Sequence, residues 1–466
     1  MEMTLDEKLI ELSAAADCPI YVVGGYVRNF YLDGKPSEDV DLCAPALAEE
    51  LTPLIKKCGF NVLAEYSHTG TILFTDGDKK YEFTSFRKDC YGDGGRHRPD
   101  SVSFTDDMLD DALRRDFKCN AVYYDIKNGK IIDPLNGIED IKNRELSTIR
   151  DSGEVFCHDG LRLLRLARFV GELGFYPSPE CLESAKNNAD KIEDIAKERI
   201  FAELKKMLVA DEKYPFSPSD GHYRALKILS ETRVLDRMIP ELTLGRDLSQ
   251  RADYHKYDVL EHSLRCVLYS KPKVRLPALF HDVGKPYNKL TTGEYYGHEK
   301  SGEKLAKNAL NKLGADKKTI EQVAFLTRYH MFDIKCDVKE SKLRKFFVGN
   351  EKYLFDLLDL KQADFRAGLD SDQIVPCEKK WIALYEKMKT DGTPFSYSDL
   401  KITAEQLMEM GFKGKQIGAE LKKLFDLCVY SPRKNNEETL KKIVEKDYNK
   451  LTVAEENNSV DTVGEI

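Results

Sequence analysis

The stretch between Gly24 and Asp41 constrains this sequence more than any other, because it joins a glycine pair to a pair of carboxylates. The apolar run before it, residues 20–23, is rich in β-branched side chains and predicts a short buried strand. Gly24 and Gly25 lack Cβ atoms, so a phosphate can approach their backbone closely. The next segment predicts a short helix whose N-terminal amides would face that phosphate, with Arg28 adding a charge-assisted contact.

The two carboxylates of this stretch, Asp39 and Asp41, lie in a segment that alternates polar and apolar residues. Side chains two residues apart share one face of a strand, so the segment predicts paired carboxylates. Two carboxylates beside a phosphate-binding turn can hold Mg²⁺ for phosphoryl transfer. A glycine pair alone is usually only a turn, and an alternating Asp pair alone is usually a solvated strand edge. Their combination in this order is what predicts a catalytic site.

Length and composition limit the class of protein. A chain of 466 residues is too long for one hydrophobic core, so several domains are expected. No apolar run approaches membrane-spanning length, and the N-terminus carries a helix-capping pattern, Thr4-x-x-Glu7, rather than a signal peptide. The 11 cysteines show no CxxC pair, which favours reduced thiols and a cytoplasmic location. With a net charge of −8, any RNA must bind a local basic surface.

The glycine and carboxylate stretch resembles the head of the class II nucleotidyltransferases, the polymerase-beta-like CCA-adding enzymes and bacterial poly(A) polymerases. Asn29 stands where this family has Asp, and its amide can hydrogen-bond without carrying a charge. Glu82, followed by residues 84–87 as the family's T-x-F-R, is implied to be a third metal carboxylate. The glycine-rich, basic segment 91–98 is similar to the family's flexible loop, in which Arg96 would touch substrate.

A second head motif lies at residues 114–121 and resembles the family's R-R-D-F-T-I-N-A. Lys118 and Cys119 replace its Thr and Ile, but the polar positions are kept. The resemblance implies that Arg115 contacts the triphosphate and that Asp116 accepts hydrogen bonds from the ribose hydroxyls. Without the resemblance, the segment would be interpreted as a capped turn with a surface arginine pair.

The segment after residue 157 resembles the family's neck motif, E-D-x-x-R-x-x-R-x-x-R-F, with His158 in place of Glu. Asp159 and Arg162 are three residues apart and are expected to share a face of one helix. Cytosine and adenine present an amine beside a bare ring nitrogen, whereas uracil and guanine present the reverse order. One carboxylate and one guanidinium would therefore select C and A. The resemblance implies this role and phosphate binding by Arg165 and Arg168; an amphipathic helix with an ion pair is the alternative.

Imidazoles and carboxylates spread over the second half of the chain predict a divalent-metal site in a helical bundle. Lys285 follows a His-Asp pair in an apolar run, which resembles the HDxGK signature of HD phosphohydrolases. The family order H…HD…H…H…D implies a site for Mg²⁺, Mn²⁺ or Ni²⁺ formed by His262, His281, Asp282, His298, His330 and Asp364. CCA-adding enzymes of one bacterial type carry such a domain, which suggests phosphodiesterase or phosphatase action on RNA 3′ ends or nucleotides.

These resemblances predict an α+β fold, in which a polymerase-beta-like nucleotidyltransferase head with a mixed sheet and helices precedes an all-helical neck, HD body and tail. The expected boundaries are 1–137 for the head, 138–210 for the nucleotide-selecting neck, 211–375 for the HD body and 376–466 for the tRNA-binding tail.

The expected function is that of a CCA-adding tRNA nucleotidyltransferase that uses Mg²⁺, CTP and ATP. Poly(A) polymerases share these motifs, although a long basic C-terminal extension would be expected of them, and an A-only or C-only adding enzyme also fits. Another alternative is an HD phosphohydrolase with a vestigial RNA-binding head, but the intact Asp39, Asp41 and Arg115 argue against it. No membrane partner is expected, and the sequence leaves the oligomeric state open.

Overall fold

The computed structural model of the protein describes residues 3–34, 39–90, 95, 99–370 and 372–461, with side chains up to residue 450. Arg96, expected in a substrate-contacting loop, lies outside the described residues. The strands are β1 (Tyr21–Val23), β2 (Val40–Ala44), β3 (Asn61–Tyr66), β4 (Thr71–Asp76), β5 (Lys79–Ser85), β6 (Arg87–Cys90), β7 (Ser101–Phe104), β8 (Tyr123–Asp125), β9 (Lys130–Ile132), β10 (Glu145–Leu146) and β11 (Tyr176–Pro177).

The helices up to residue 243 are α1 (Glu7–Ala15), α2 (Gly25–Asp33), α3 (Ala48–Lys57), α4 (Met108–Leu113), α5 (Gly137–Asn143), α6 (Ser152–His158), α7 (Leu161–Leu173), α8 (Pro179–Asn187), α9 (Lys197–Met207), α10 (Gly221–Glu231), α11 (Val234–Met238) and α12 (Pro240–Thr243). The later helices are α13 (Val259–Tyr269), α14 (Arg275–Phe280), α15 (Gly284–Thr292), α16 (His298–Lys312), α17 (Lys317–Tyr329), α18 (Glu340–Asn350), α19 (Leu354–Leu369), α20 (Glu378–Thr390), α21 (Ala404–Glu409), α22 (Lys415–Tyr430) and α23 (Glu437–Asp461).

The head is built on a seven-stranded mixed sheet in the order β3-β4-β5-β2-β1-β8-β9. β2 and β5 are parallel, whereas β1 pairs with β2 and β8 in antiparallel fashion. In this register Asp41 lies beside Glu82 of β5 on one side and beside Val23 of β1 on the other. The sheet therefore brings two of the predicted metal carboxylates to neighbouring positions near its centre.

The two faces of this sheet pack against different groups of side chains. Leu42 and Phe83 belong to the main hydrophobic core, together with residues of α1 and α3. Cys43 belongs to a smaller cluster on the opposite face. Because side chains alternate along a strand, Asp41 and Glu82 project on the side of the smaller cluster, and both are exposed.

Beyond the head, the described chain is mainly helical, apart from the short parallel pair of β10 and β11. In the neck, α7 packs against α9 and α10, and in the body α13 packs against α14 and α19 while α16 packs against α15 and α17. One buried hydrophobic cluster extends from Met3 in the head to Met388 in α20. The last helices have a separate cluster, with buried side chains from Leu400 to Val444. This arrangement confirms the predicted α+β fold, and the four domain boundaries stay a prediction.

The described residues include no helix that combines the length and the apolarity needed to cross a membrane.

Two local predictions from the sequence are wrong. The capping pattern at Thr4 does not begin the first helix, because α1 starts at Glu7 and Asp6 holds the N-cap position. The Asp6 carboxylate instead binds Lys79 and accepts a hydrogen bond of 2.6 Å from the Tyr81 hydroxyl of β5. Asp159 does not lie on a helix with Arg162, since it has extended backbone angles at the junction between α6 and α7.

Candidate active site and metal centre

The glycine turn and the first carboxylates meet at the start of α2. Gly24 has a φ of +78°, a left-handed conformation that favours glycine, and it caps the helix that begins at Gly25. A Cβ atom at position 24 would lie 3.1 Å from Oδ2 of Asp41. Any other residue at position 24 would therefore crowd this carboxylate as well as strain the turn. The strand β2 begins at Val40, so Asp39 lies one residue before it.

The electrostatics of this group favour a bound cation. Although the Asp41 side chain is exposed, the surrounding protein partly desolvates its carboxyl group and raises its pKa; Arg115 opposes this shift, and Asp39 adds to it. Desolvation and the charge of Asp41 likewise raise the pKa of Glu82. The residues fit a divalent ion that prefers oxygen ligands, because a cation there would relieve the repulsion between the carboxylates.

The arginine pair of the second head motif is held by a buried carboxylate. Asp111 on α4 accepts hydrogen bonds from Arg114 at 2.8 Å and from Arg115 at 3.0 Å, and its side chain is 0% exposed. The Tyr123 hydroxyl donates to the same carboxylate at 2.8 Å. Burial disfavours the charged form of Asp111, but Arg115 and Arg114 hold its pKa below the ordinary value. Asp111 thus fixes Arg115 on the same face of the sheet as Asp41.

Arg28 and Asp116 lie in one buried group of polar side chains. The Arg28 guanidinium is 2% exposed and donates to the side-chain oxygens of Asn29 and Asn120. The Asp116 carboxylate accepts hydrogen bonds from the Asn120 amide at 3.0 Å and from Arg165 at 2.6 Å. Burial opposes ionisation of Asp116, but Arg165 and Asn120 hold its pKa well below the ordinary value. The amide at position 29, where the family has Asp, thus binds Arg28.

The pair expected to select the base is brought together between α6 and α7. Nε of Arg162 lies 3.7 Å from Oδ2 of Asp159, and both side chains are about 5% exposed. Arg162 also donates to the backbone oxygen of Arg114 at 2.7 Å, which ties the neck to the head motif. His158 ends α6 and lies 3.3 Å from the Arg150 guanidinium. The charges of the pair remain adjacent although Asp159 precedes the helix.

The two neck arginines expected to hold phosphates are bound to carboxylates in this structure. Arg165 pairs with Asp116, and about a third of its side chain is exposed. Arg168 is buried and donates to Glu203 at 2.6 Å and to Glu172 at 2.8 Å. Their phosphate-binding role stays a prediction, and their present contacts hold α7 against α9 and the head.

The six residues of the HD pattern converge in the body. The groups His262–His281–Asp282 and Asp282–His298–His330 each place their candidate ligand atoms within 4.8 Å of one another. Asp282 belongs to both groups and presents Oδ2 to the first and Oδ1 to the second. Oδ1 of Asp364 completes the first group at 3.0 Å from Nε2 of His262.

Backbone carbonyls orient the imidazoles of this cluster. Nδ1 of His281 lies 2.7 Å from the Ala278 oxygen, Nδ1 of His298 lies 2.9 Å from the Tyr295 oxygen, and Nδ1 of His330 lies 2.7 Å from the Thr327 oxygen. A histidine that donates from Nδ1 leaves the Nε2 lone pair for a metal. The donor set of buried imidazoles and carboxylates therefore fits a divalent ion.

Gly284 and Lys285 explain the signature that follows the His-Asp pair. A Cβ atom on Gly284 would collide with the backbone oxygen of His298, so glycine lets α15 approach the start of α16. The Lys285 ammonium lies 2.6 Å from Oδ2 of Asp282. Burial disfavours the charged form of Asp282, but His281 and Lys285 hold its pKa well below the ordinary value.

Sequence reasoning missed two residues that organise the head site. Asp111 precedes the arginine pair by three and four positions, a spacing that places a carboxylate beside both guanidinium groups on a helix. That signal was present in the sequence. Asn120 is the second such residue, and its contacts with Arg28 and Asp116 depend on tertiary packing that its place in the second head motif does not reveal.

Three protein families match parts of the chain. The family described as "Poly A polymerase head domain" matches residues 20–147, and the one described as "Probable RNA and SrmB-binding site of polymerase A" matches residues 174–244. The HD domain family matches residues 259–359.

The curated relatives of this chain include several bacterial CCA-adding enzymes. The CCA-adding enzyme of Geobacillus stearothermophilus is 37% identical over 212 residues, which are 46% of this chain and 48% of that protein. The chain spans about half the length of the curated relatives it matches.

Two solved structures show the same fold. The Bacillus stearothermophilus CCA-adding enzyme in complex with CTP has a TM-score of 0.65 and 21% identity, covering 96% of this chain and 100% of that chain. The Thermotoga maritima CCA-adding enzyme complexed with tRNA-CCA has a TM-score of 0.56 and 16% identity, covering 95% of this chain and 96% of the other. In three segments the chain is thus similar to the poly(A) polymerase head, RNA-binding and HD families, and its fold is the one seen in CCA-adding enzymes.

Proposed function

We propose that this protein is a CCA-adding tRNA nucleotidyltransferase, which adds C, C and A to the tRNA 3′ end from CTP and ATP and releases pyrophosphate. The observation that carries the proposal is the placement of Asp41 beside Glu82 on an exposed face of the head sheet, against the Gly24 turn. The names of the similar proteins support the same activity, including one solved with CTP and one with tRNA. We also propose a cytoplasmic enzyme, on the scattered cysteines of the sequence.

In this proposal Asp39, Asp41 and Glu82 hold Mg²⁺. Their oxygen atoms are the ligands that Mg²⁺ prefers, and their mutual repulsion would be relieved by it. When bound, this Mg²⁺ would lower the pKa of the RNA 3′-hydroxyl, and a second Mg²⁺ would neutralise charge on the departing pyrophosphate. The protein contributes the fixed positions of these carboxylates.

The other residues of the head and neck bind and select the nucleotide. Backbone amides at Gly24 and Gly25 would approach the phosphates, and Arg115 would neutralise their charge while Asp111 keeps its guanidinium in place. The carboxylate and guanidinium of the α6–α7 junction would select the base. The full proposed nucleotide-binding set is Gly24, Gly25, Arg28, Arg115, Asp116, Asp159, Arg162, Arg165 and Arg168.

The proposal is tested by incubating the protein with tRNA that lacks its 3′ end, with each mixture of CTP and ATP, and sequencing the products. We expect CCA from the full mixture and no addition by Asp41→Asn, since that substitution replaces a charged metal ligand by a neutral amide but leaves the basic RNA surface intact. Asp78→Asn, at an exposed turn of the same sheet, is the matched control. Products with long A tails would instead indicate a poly(A) polymerase, and products with A or C alone a partial adding enzyme.

We infer a second activity for the HD domain, metal-dependent hydrolysis of phosphate esters on RNA 3′ ends or nucleotides. It is favoured by the convergence of five buried histidine and aspartate side chains and the half-buried Asp364, with Lys285 beside them. The proposed ion is Mg²⁺, Mn²⁺ or Ni²⁺, and the assay is hydrolysis of 2′,3′-cyclic nucleotides with each metal. Absence of hydrolysis with all three would leave the cluster without this activity.

A further inference from the structure

A buried chain of hydrogen bonds joins the glycine turn of the head to the neck helix. Arg28, in the first turns of α2, donates to the side-chain oxygen of Asn120. The Asn120 amide donates to Oδ1 of Asp116 at 3.0 Å, and Arg165 of α7 donates to Oδ2 of the same carboxylate at 2.6 Å. Arg28, Asn120 and Asp116 are 2%, 7% and 7% exposed. The links from Arg28 to Asn120 and from Asn120 to Asp116 are therefore formed away from solvent, where an unpaired polar group is costly, whereas Arg165 reaches Asp116 from a partly exposed position.

Asn120 is the centre of this chain because its side chain both accepts and donates. Its oxygen faces a guanidinium and its nitrogen faces a carboxylate. A carboxylate at this position could accept from Arg28 but could not donate to Asp116, and an apolar side chain could do neither. The position thus requires an amide if both neighbours are to be satisfied.

An aromatic ring on α7 strengthens the same junction. The guanidinium groups of Arg28, Arg165 and Arg168 lie 5.4 Å, 5.2 Å and 4.5 Å from the centre of the Phe169 ring. Arg28 belongs to the head, whereas the ring and the other two arginines belong to the neck helix that also carries Arg162. The head turn and the proposed base-selecting helix are therefore held in one arrangement by two kinds of contact.

We propose that Asn120 is a positioning residue for nucleotide choice, which fixes the neck helix relative to the phosphate-binding turn. This inference rests on the proposed function, in which one nucleotide must reach the turn with its phosphates and Asp159 and Arg162 with its base. If the distance between the turn and this pair of side chains is fixed, only a nucleotide whose base is bound by Asp159 and Arg162 places its α-phosphate at the carboxylates of the head. Displacement by about 1 Å is enough to cost on the order of a hundredfold in rate. Asn120 itself touches no nucleotide in this scheme.

The test compares Asn120→Leu and Asn120→Asp with wild type in single-nucleotide extension of tRNA with each of the four triphosphates. Asn120→Leu removes both hydrogen bonds, while Asn120→Asp keeps the acceptor for Arg28 and breaks the link to Asp116. We expect the preference for CTP and ATP over UTP and GTP to fall on the order of tenfold or more in both variants. The matched control is Asn188→Leu, an amide in the neck whose hydrogen bond stays within its own helix end.

If Asn120 had only a structural role, its substitution would change the stability of the protein and not its preference among the triphosphates. If both variants lowered the melting temperature but kept wild-type ratios among the four triphosphates, the inference would be overturned. Should Asn120→Leu fail to fold, Asn120→Asp and Phe169→Leu, which keeps an apolar side chain in the junction, carry the same expectation. If the wild-type protein added nucleotides without preferring CTP and ATP, the proposed function would be overturned instead. If the wild-type protein showed this preference and the variants kept the same ratios, only this inference would be overturned.

Discussion

At the residue scale, the head site shows how a buried acid can organise basic groups. Asp111 holds the Arg114 and Arg115 guanidinium groups, and the Tyr123 hydroxyl adds a third hydrogen bond. A buried charge is tolerated only when it is paired in this way. Arg115 is therefore pre-organised before any triphosphate arrives, so its side chain need not be ordered at the moment of binding.

The first residue-scale prediction concerns Asp159 and Arg162. Asp159→Asn and Arg162→Lys should each lower the preference for CTP and ATP over UTP and GTP. Each change weakens a charge-assisted hydrogen bond to the base, worth on the order of 1.5–3 kcal/mol, or roughly a ten- to hundredfold effect. The measurement is single-nucleotide extension with each triphosphate.

The matched control for this pair is Arg199→Lys, an exposed guanidinium on α9 of the neck. Equal loss of rate with all four triphosphates in Asp159→Asn and Arg162→Lys would mean that the pair only ties the neck to the backbone of Arg114.

At the element scale, the presence of strands and helices in the head was more predictable from the sequence than the residues at which they begin and end. Residues 20–23 were expected to form a strand and β1 covers Tyr21–Val23, because a β-branched run has few other stable conformations in a core. The ends were less predictable since capping side chains were drawn into tertiary contacts, as Asp6 is by Lys79 and Tyr81. The local signal for the junction is the Asp159-Gly160 dipeptide, which favours a turn, and the Asp159 carboxylate accepts a hydrogen bond from the Leu161 amide at the start of α7.

The burial of Asp140 on α5 predicts how the stability of the protein depends on pH. Burial raises the pKa of Asp140 from 3.8 to about 6, although Ser147 donates a backbone hydrogen bond to its carboxylate. The folded state then binds more protons than the unfolded state between about pH 4 and pH 6. The free energy of unfolding therefore falls as pH rises through this window, by up to about 3 kcal/mol.

Asp140→Asn removes this ionisation, and its amide oxygen can still accept from Ser147. We expect the variant to gain stability over wild type as pH rises from 4 to 6 and to keep the gain above pH 6. Urea unfolding at several pH values measures it, with Glu139→Gln on the exposed side of α5 as control. Parallel stability curves for wild type and Asp140→Asn would contradict the expectation.

At the scale of the whole molecule, the HD cluster was the part of the site most predictable from sequence. A His-Asp pair in an apolar run can be buried only with partners, and the remaining imidazoles follow on later helices. Two things were not predictable. The first is that Asp282 belongs to both groups of ligands, and the second is that Gly284 lets α15 and α16 approach each other. Both features follow from helix packing and not from the spacing of residues in the sequence. The head partners of Asn120 depend on packing in the same way.

The last prediction tests whether the two proposed metal sites act independently. The carboxylates of the head lie on β5 and on or next to β2, whereas the HD ligands lie on or beside α13, α14, α16, α17 and α19. Distant sites without shared partners usually behave additively. We therefore expect Asp41→Ala to abolish nucleotide addition and keep hydrolysis within about twofold of wild type.

The reciprocal variant, Asp282→Ala, should lose hydrolysis and bound metal while nucleotide addition stays within about twofold of wild type. Metal content is measured on both variants by mass spectrometry. The melting temperature is measured as well, because Asp282 is buried in the body and the head and body share one hydrophobic cluster. A large fall in addition by a fully folded Asp282→Ala would show that the HD metal acts on the head. Since the two ligand sets share no residue, such coupling would not pass through a common ion, and the hydrophobic cluster that head and body share offers a route for it.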